Sequence, residues 1–372
     1  MQVLFILCVF MCVYSYAIYP PMLWCLALFF KKSWQRGNDF PRVSIVISAF
    51  NEAAVIQKKI RNALALEYPS EMLEIIVSSD GSTDDTNTIV QAFDDPRVKL
   101  MAFERIGKTA CLNKVIPQVS GEIVVFTDAN SMFPAGSLKR MVRHFKDQSI
   151  GLVTGGTLYI DSEGNLEPTG IYSKLEKWTK VYESAVASCV GADGAIFALR
   201  KELYHPLSNQ DINDLVIPLQ VVRGGKRVII EPNAPCIEEA SSQGKQAMRR
   251  QIRISTRTIW ALYHNRDLLN IKKHGFFAYF MWSHKLLRLT MPFWFIAAFV
   301  LNMYLIRTST IYWIPMLGFL TFLFIGIGSM LGSGDGRIPS ICKLFLITGV
   351  SQFIAWMRVW SGKKDVLWTP QR

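Results

Sequence analysis

The sequence has few residues that bind metals through nitrogen or sulfur. It has seven cysteines and five histidines in 372 residues, with no CxxC pair and no HxxxH or HExxH motif. Structural zinc sites, thiol redox pairs and zinc proteases depend on such spacings. The sequence therefore indicates neither a zinc site nor a redox pair. It also has no internal repeat and no low-complexity tract.

Acidic residues are scarce relative to basic ones. The chain has 29 Asp and Glu against 41 Lys and Arg, a formal charge of +12. This excess suits nucleotide phosphates, nucleic acid or an anionic membrane surface, but basic flanks of membrane segments also produce it. Because the charge is spread along the chain and no nucleic-acid motif occurs, nucleic acid is the weakest of these partners.

Long apolar runs are present at both ends of the chain. Half of the residues are hydrophobic, and mean hydropathy is +0.21. Residues 1–30 are almost wholly apolar and are followed by Lys31, Lys32 and Arg36. This pattern predicts an N-terminal transmembrane helix with its basic flank, and the domain that follows, in the cytoplasm. A signal peptide is the rival interpretation, but a basic start and a small-residue cleavage site are missing.

The C-terminal third also predicts membrane contact. Residues 241–289 read as basic and interfacial helices, and 290–360 contain two to three transmembrane segments, before a tail at 361–372. Three such spans would put the tail outside, whereas its basic residues favour the inside. Both topologies stay open, and we expect a multi-pass protein of the cell membrane.

The region 41–240 has a different pattern. Short apolar runs at 43–47, 73–77 and 122–126 end in polar residues, and 52–66 has apolar residues at helical spacing. This predicts an α/β domain with a Rossmann-like, doubly wound and mostly parallel sheet. Ligands of such sheets bind at the carboxyl ends of the strands.

Carboxylate or amide side chains follow each of the three runs. They are Asn51 and Glu52, then Asp80, Asp84 and Asp85, then Asp128 and Asn130. Such oxygens can bind a base, a ribose or a hard cation such as Mg²⁺ or Mn²⁺. Each cluster alone could also cap a helix or turn, but three at one edge of a sheet favour a ligand site.

At these positions the sequence resembles a known family. Ser44-Ile-Val-Ile-Ser-Ala-Phe-Asn-Glu52, Ser79-Asp-Gly-Ser-Thr-Asp-Asp-Thr86 and Thr127-Asp-Ala-Asn130 are similar to inverting family 2 glycosyltransferases of the GT-A fold. The resemblance covers residues 41–260, and the membrane flanks match the polysaccharide-synthesising branch. It implies a metal-dependent transferase of the hexosyl type.

The resemblance also implies roles on the donor side. Ala49 and Glu52 would line the nucleotide pocket, Asp80 would contact the uracil end, and Lys108 would lie near the nucleotide. Asp128 would be the first acid of the DxD motif, which binds the sugar and a metal-bound diphosphate with Mg²⁺ or Mn²⁺. Asn130 replaces the second acid of the motif, so an oxygen is kept while a charge is lost.

On the acceptor side, Gly191, Asp193 and Gly194 belong to a loop similar to the family's acceptor loop. Asp214 resembles the catalytic base, which must take the proton of the acceptor hydroxyl. Asp211 is its nearest competitor, and a helix-capping role for Asp214 is the structural alternative.

A second motif lies in the basic helix. Gln246, Arg249, Arg250 and Arg253 resemble the QxxRW segment of processive synthases, which would contact the diphosphate or acceptor. Arg250 stands where the motif has Trp. A basic face on anionic lipid is the alternative.

The expected function is transfer of a sugar from a nucleotide sugar to a growing polysaccharide or glycan at the membrane. The resemblance implies that the donor is a UDP-sugar. Transfer to a lipid or lipid-linked carrier is one alternative, and a non-catalytic nucleotide sensor or secretion scaffold is another. Expected partners are the donor, the acceptor, membrane lipid and polysaccharide export components.

Overall fold

A computed structural model describes residues 1–161, 163–167, 170–239, 245–332 and 336–363, without the side chains of 245–247. The chain divides into two compact units. One contains Leu23–Ser241 and Asn265–Phe280. The other contains Met1–Met22, Ser242–His264 and Met281–Asp365.

The described strands are β1 (Val43–Ala49), β2 (Leu73–Asp80), β3 (Val98–Phe103), β4 (Ile123–Asp128), β5 (Ile150–Ile160), β6 (Phe197–Arg200) and β7 (Arg227–Glu239). The described helices are α1 (Gln2–Val13), α2 (Tyr19–Phe30), α3 (Ile56–Leu64), α4 (Thr86–Gln91), α5 (Lys108–Val115), α6 (Ser137–Val142), α7 (Ile171–Val186), α8 (Asn213–Arg223), α9 (Lys245–His264), α10 (Ile271–Phe280), α11 (Leu287–Leu305), α12 (Trp313–Met330) and α13 (Arg337–Trp360).

The strands form one seven-stranded sheet in the order β3-β2-β1-β4-β6-β5-β7. Strands β1 to β4 are parallel to one another. From β1 the chain first forms β2 and β3 on one side, and β4 then pairs with β1 on its other side. The carboxyl end of β1 is therefore the point where the strand order reverses, which is where doubly wound sheets bind ligands. The predicted doubly wound, mostly parallel sheet is confirmed.

The central strands are buried on both faces, which explains their continuous apolar runs. All seven residues of β1 are buried. On α3, Ile56, Ile60 and Ala63 are spaced at i, i+4 and i+7, and each is at most 1% exposed. Burying an isoleucine side chain contributes about 1.5–3 kcal/mol, so this stripe fixes α3 against the sheet. Lys59 lies on the same buried side of the helix.

Strand β6 is antiparallel to β4, with Phe126 opposite Phe197. Their rings stack with centroids 4.5 Å apart. Because β6 runs opposite to β4, the loop that precedes Phe197 lies at the edge where β4 ends. This places residues 191–196 beside Asp128 in the topology of the sheet.

The segment between α2 and β1 is attached along its length to the sheet domain. The Trp34 indole N–H donates to His144 Nδ1 at 2.7 Å, so His144 donates through Nε2 to Glu231 at 2.8 Å. Arg143 also donates to Glu231 at 2.6 Å. Burial would raise the pKa of Glu231, but the hydrogen bonds from His144, Asn233 and Arg143 outweigh it and lower the pKa to about 2.

The other unit is helical and apolar. Phe5, Cys8, Ala298 and Leu305 form a buried cluster between α1 and α11. Within the described residues, four helical segments are long and apolar enough to cross a membrane: Gln2–Phe30, Ile271–Leu305, Thr310–Met330 and Arg337–Trp360. The expected interfacial stretch near 275–289 falls inside the second of these, where Gly275 has a φ of +52°.

Candidate active site

The ends of β1 and β2 are joined by side chains of the predicted motifs. Asn51, with a φ of +54°, accepts the Thr83 N–H through its Oδ1 at 2.8 Å. The Ala53 N–H donates to Asp84 Oδ2 at 3.0 Å. The Thr86 hydroxyl accepts the Glu52 N–H at 2.8 Å. The two loops are therefore fixed to each other by these three hydrogen bonds, one donated by the β2 loop and two by the β1 loop.

The same contacts lower the pKa of Asp84. Desolvation would raise its pKa, but hydrogen bonds from Thr86 and Ala53 outweigh it and lower the pKa. Asp84 thus stays ionised as an acceptor of backbone N–H groups. Ala49 and Glu52 lie at this edge of the sheet and are at most 3% exposed. They are the residues that were expected to line the nucleotide pocket.

Asp80 ends β2 and is 3% exposed. Its Oδ1 accepts the N–H groups of Ile106 and Gly107, both at 2.8 Å, and its Oδ2 forms an ion pair with Arg105. Gly107, with a φ of +94°, is the residue before α5. Asp80 therefore fixes the loop that leads into Lys108, a role that the sequence did not indicate.

Lys108 begins α5 and reaches the end of β4. Its Nζ lies 2.5 Å from Asp128 Oδ1, and the two side chains are 16% and 28% exposed. Ser48 of β1 is opposite Asp128 in the sheet. The structure thus brings together two residues that the resemblance assigned separately, at the point where the strand order reverses.

The residues present fit a divalent cation only as partial ligands. The described residues contain no cluster of three or more His, Cys, Asp or Glu that could hold a metal. Asp128 offers a carboxylate and the exposed Asn130 an amide oxygen. Mg²⁺ is commonly held by one or two carboxylates plus substrate phosphates. This donor set therefore fits a cation that arrives with a diphosphate.

The acceptor-side loop is held by Asp193. The Thr157 N–H donates to Asp193 Oδ2 at 2.9 Å, and the Ala195 N–H donates to Oδ1 at 3.1 Å. Gly191 has a φ of +85°, a backbone conformation that favours glycine. Asp193 therefore anchors the loop to β5.

Asp214 lies in the first turn of α8 and is half-buried. A Cβ added to Gly194 would lie 2.9 Å from Asp214 Oδ2, and the Ala192 N–H donates to the Asp214 carbonyl at 2.7 Å. The carboxylate thus faces the glycine loop closely. Its competitor Asp211 accepts the Ser208 N–H at 2.8 Å within its own turn.

Lys180, which the sequence did not single out, interacts electrostatically with residues of the same loop. Burial would lower the pKa of Lys180 on α7, but Glu176, Asp193, Cys189 and Asp214 outweigh it and raise the pKa. Lys180 therefore carries its charge near the loop. Its position between Trp178 and Tyr182 on an amphipathic helix gave no distinct signal in the sequence.

The residues of the basic helix belong to the other compact unit. Arg249 and Arg250 are exposed and Arg253 is half-buried on α9. The side chain of Gln246 lies outside the described residues. Their expected roles at the diphosphate or acceptor stay predictions.

The sequence of the sheet domain matches a known family over the region that holds these contacts. Residues 44–204 match the description "Glycosyl transferase family 2". This part of the chain is a family 2 glycosyltransferase domain. The match includes Asp80, Lys108, Asp128 and the acceptor-side loop, whereas Asp214 lies just beyond it. The expected family resemblance is confirmed.

Relatives of the family 2 domain act on different acceptors. A Nostoc beta-monoglucosyldiacylglycerol synthase is 35% identical over 121 residues, 31% of this chain and 26% of the relative. A Campylobacter jejuni GalNAc(5)-diNAcBac-PP-undecaprenol beta-1,3-glucosyltransferase is 31% identical over 38% of this chain and 46% of its own. A Staphylococcus aureus poly-beta-1,6-N-acetyl-D-glucosamine synthase is 31% identical over 54% of this chain and 50% of its own. The chain thus spans a quarter to a half of these relatives.

A solved structure confirms the GT-A fold. It is a mannosyltransferase from Pyrobaculum calidifontis in complex with GDP-Man and Mn²⁺. The TM-score is 0.72 at 20% sequence identity, over 97% of this chain and 100% of that one.

Proposed function

We propose that the protein is an inverting glycosyltransferase that moves a sugar from a UDP-sugar to a glycan acceptor at the membrane. The observation that carries this proposal is the contact between Lys108 and Asp128 at the point of strand reversal. A cation and a carboxylate at this point support the binding of a nucleotide diphosphate and its metal there. The family 2 domain supports the same chemistry.

On the donor side, Asp80 holds the loop that presents Lys108, and Lys108 turns from Asp128 to the diphosphate when the donor binds. Asp128 and Asn130 would hold Mg²⁺ or Mn²⁺ through their oxygens. When bound, such a cation would supply positive charge against the charge that develops on the leaving diphosphate. Positive charge from Lys108 contributes to the same effect.

On the acceptor side, the carboxylate of Asp214 takes the proton of the acceptor hydroxyl as its oxygen attacks the anomeric carbon. The new carbon–oxygen bond forms as the bond to the diphosphate breaks, and the nucleoside diphosphate leaves. Attack from the opposite face inverts the anomeric configuration. Gly194 leaves room beside Asp214 for the acceptor to approach.

The location follows from the helices. Four candidate spans and the basic residues after the first one support a multi-pass protein of the cell membrane with its catalytic domain in the cytoplasm. Membrane lipid and export components are the partners that such a polysaccharide synthase would have.

A second acceptor class has its own support. One relative is a glucosyldiacylglycerol synthase and another acts on an undecaprenol-linked oligosaccharide. A lipid or lipid-linked acceptor is therefore the second candidate. The size of the product separates the two, because a polymer gives a ladder or smear on a gel and a single addition gives one band.

The test uses the purified chain in detergent with labelled nucleotide sugars and Mg²⁺ or Mn²⁺. We expect transfer or hydrolysis of at least one donor, abolished in Asp214→Asn and kept in Asp211→Asn. Nucleotide binding without turnover of any donor would instead support the non-catalytic sensor. Full activity of Asp214→Asn would rule out this residue as the base.

A further inference from the structure

Helix α3 carries a lysine on its core-facing side. Lys59 is 0% exposed, whereas its neighbour Lys58 on the same helix is exposed. Taking an ammonium group out of water is costly unless several partners compensate. Burial lowers the pKa of Lys59 to about 7, against the attraction of Cys236, Asp128 and Glu238. The contacts of the lysine must therefore offset the cost of burying its ammonium group.

Lys59 contacts the end of β4 and the turn that follows it. Its Nζ donates to Thr127 Oγ1 at 3.0 Å and to the carbonyl of Ser131. The same ammonium lies 3.8 Å from the centre of the Phe133 ring. Thr127 and Ser131 flank Asp128 and Asn130 on either side. One ammonium group thus joins the start and the end of the segment that carries both oxygen ligands.

Asn62, one turn further along α3, holds the next residue of the segment. Its amide donates to the Phe133 carbonyl at 2.8 Å and accepts the Phe133 N–H at 2.7 Å. Lys59 and Asn62 are spaced at i and i+3, so they share one side of the helix. Together they form hydrogen bonds with the Ser131 carbonyl and with the N–H and carbonyl groups of Phe133.

The opposite side of the same turn is held by β7. Met132 and Ile237 exchange backbone hydrogen bonds of 2.8 and 2.7 Å, and the Ser131 hydroxyl donates to Glu238. The turn is therefore fixed between a helix and a strand. At its tip, Asp128 is half-buried and Asn130 is exposed.

We propose that Lys59 and Asn62 are positioning residues that hold the turn 127–133 so that Asp128 and Asn130 present their oxygens to a metal-bound diphosphate. This inference rests on the proposed function. With one carboxylate instead of two, the site depends more on the placement of its oxygens. Residues behind a ligand typically alter affinity by about 10- to 100-fold when they are removed.

Two variants test the proposal through different atoms, Lys59→Met and Asn62→Ala, with Lys58→Met as the matched control. Removing one partner of a buried polar contact can destabilise a protein, so Asn62→Ala keeps the proposal testable if Lys59→Met does not fold. The first measurement is hydrogen exchange of residues 129–133 in the ligand-free full chain in detergent. We expect exchange about 5- to 10-fold faster in both variants than in the control.

The second measurement is calorimetric binding of UDP and of GDP, each with Mn²⁺ and with EDTA. We expect the Mn²⁺-dependent part of the affinity to fall by about 10- to 100-fold in both variants, with the metal-free part unchanged. A purely structural role would weaken both parts alike. Affinity equal to the Lys58→Met control, or unchanged exchange of the turn, would overturn the proposal.

The two proposals fail in different ways. If the wild-type chain binds neither nucleotide with Mn²⁺, the proposed function is wrong and this inference falls with it. If the wild type binds and both variants bind equally well, only the role of Lys59 and Asn62 is wrong.

Discussion

The contact between Lys108 and Asp128 predicts opposite effects on two ligands. In the structure the lysine Nζ lies 2.5 Å from the carboxylate that a cation would use. Replacing it by methionine should strengthen Mn²⁺ binding in the absence of nucleotide and weaken nucleotide binding in the presence of Mn²⁺. A substitution that merely damages a site would weaken the binding of both ligands, so opposite changes in the two affinities are a specific result.

The size of the effect follows from the geometry. Coulomb's law with an effective dielectric constant of about 20 gives an attraction of roughly 7 kcal/mol at this distance. Desolvation and partial exposure reduce it, and a hydrogen bond between charged groups has a net value of about 1.5–3 kcal/mol. Since about 1.4 kcal/mol is a factor of ten, we expect roughly 10- to 100-fold changes, tighter for Mn²⁺ and weaker for the nucleotide.

The assay is the electron paramagnetic resonance signal of free Mn²⁺, followed by calorimetry with UDP at saturating Mn²⁺. Lys114→Met is the control, because Lys114 is an exposed lysine on the same helix. If Lys108→Met and Lys114→Met bind Mn²⁺ equally, the lysine does not compete with the cation and the reasoning is refuted.

Three further outcomes are expected. Asp214→Asn should lower turnover by about 10²- to 10⁴-fold with nucleotide affinity unchanged in calorimetry, and equal loss in Asp211→Asn would contradict the assignment. Gly194→Ala should lower turnover without unfolding, because its Cβ would meet Asp214 Oδ2 at 2.9 Å, whereas Gly156→Ala has open space and should be neutral. Glu231 has a pKa lowered from 4.5 to about 2, so its contribution to stability is present above about pH 4.5 and is lost as the pH falls toward 2. The free energy of unfolding should therefore fall by on the order of 3 kcal/mol across that pH window in the wild type and by less in Glu231→Gln. Thermal unfolding measured against pH checks this, and parallel stability curves for the two proteins would contradict it.

Much of the sheet could be predicted because its central strands are buried on both faces. β1, β2 and β4 read as continuous apolar runs, and each ends in the polar residues that the sequence singled out. Strand β6 escaped prediction since Phe197–Arg200 has only four residues. Its antiparallel direction depends on pairing with β4, which no local pattern encodes.

The candidate site was predictable in its members but not in their contacts. Asp80 was expected to contact the uracil end, and nothing in the sequence indicated that its carboxylate also holds the Ile106 and Gly107 N–H groups. That contact depends on the positive φ of Gly107 and on a loop that is distant in sequence. Lys59 did leave a signal, because a lysine falls within the stripe of Ile56, Ile60 and Ala63 that α3 buries.

The contacts between the ends of β1 and β2 have a consequence for engineering. Asn51 binds the Thr83 N–H while Asp84 binds the Ala53 N–H, so each loop supplies the other's hydrogen-bond partners. A chimera that imports only one of the two segments from a relative loses both sets of contacts at once. Exchange of donor preference between family members should therefore transplant residues 50–54 and 80–86 as a single cassette.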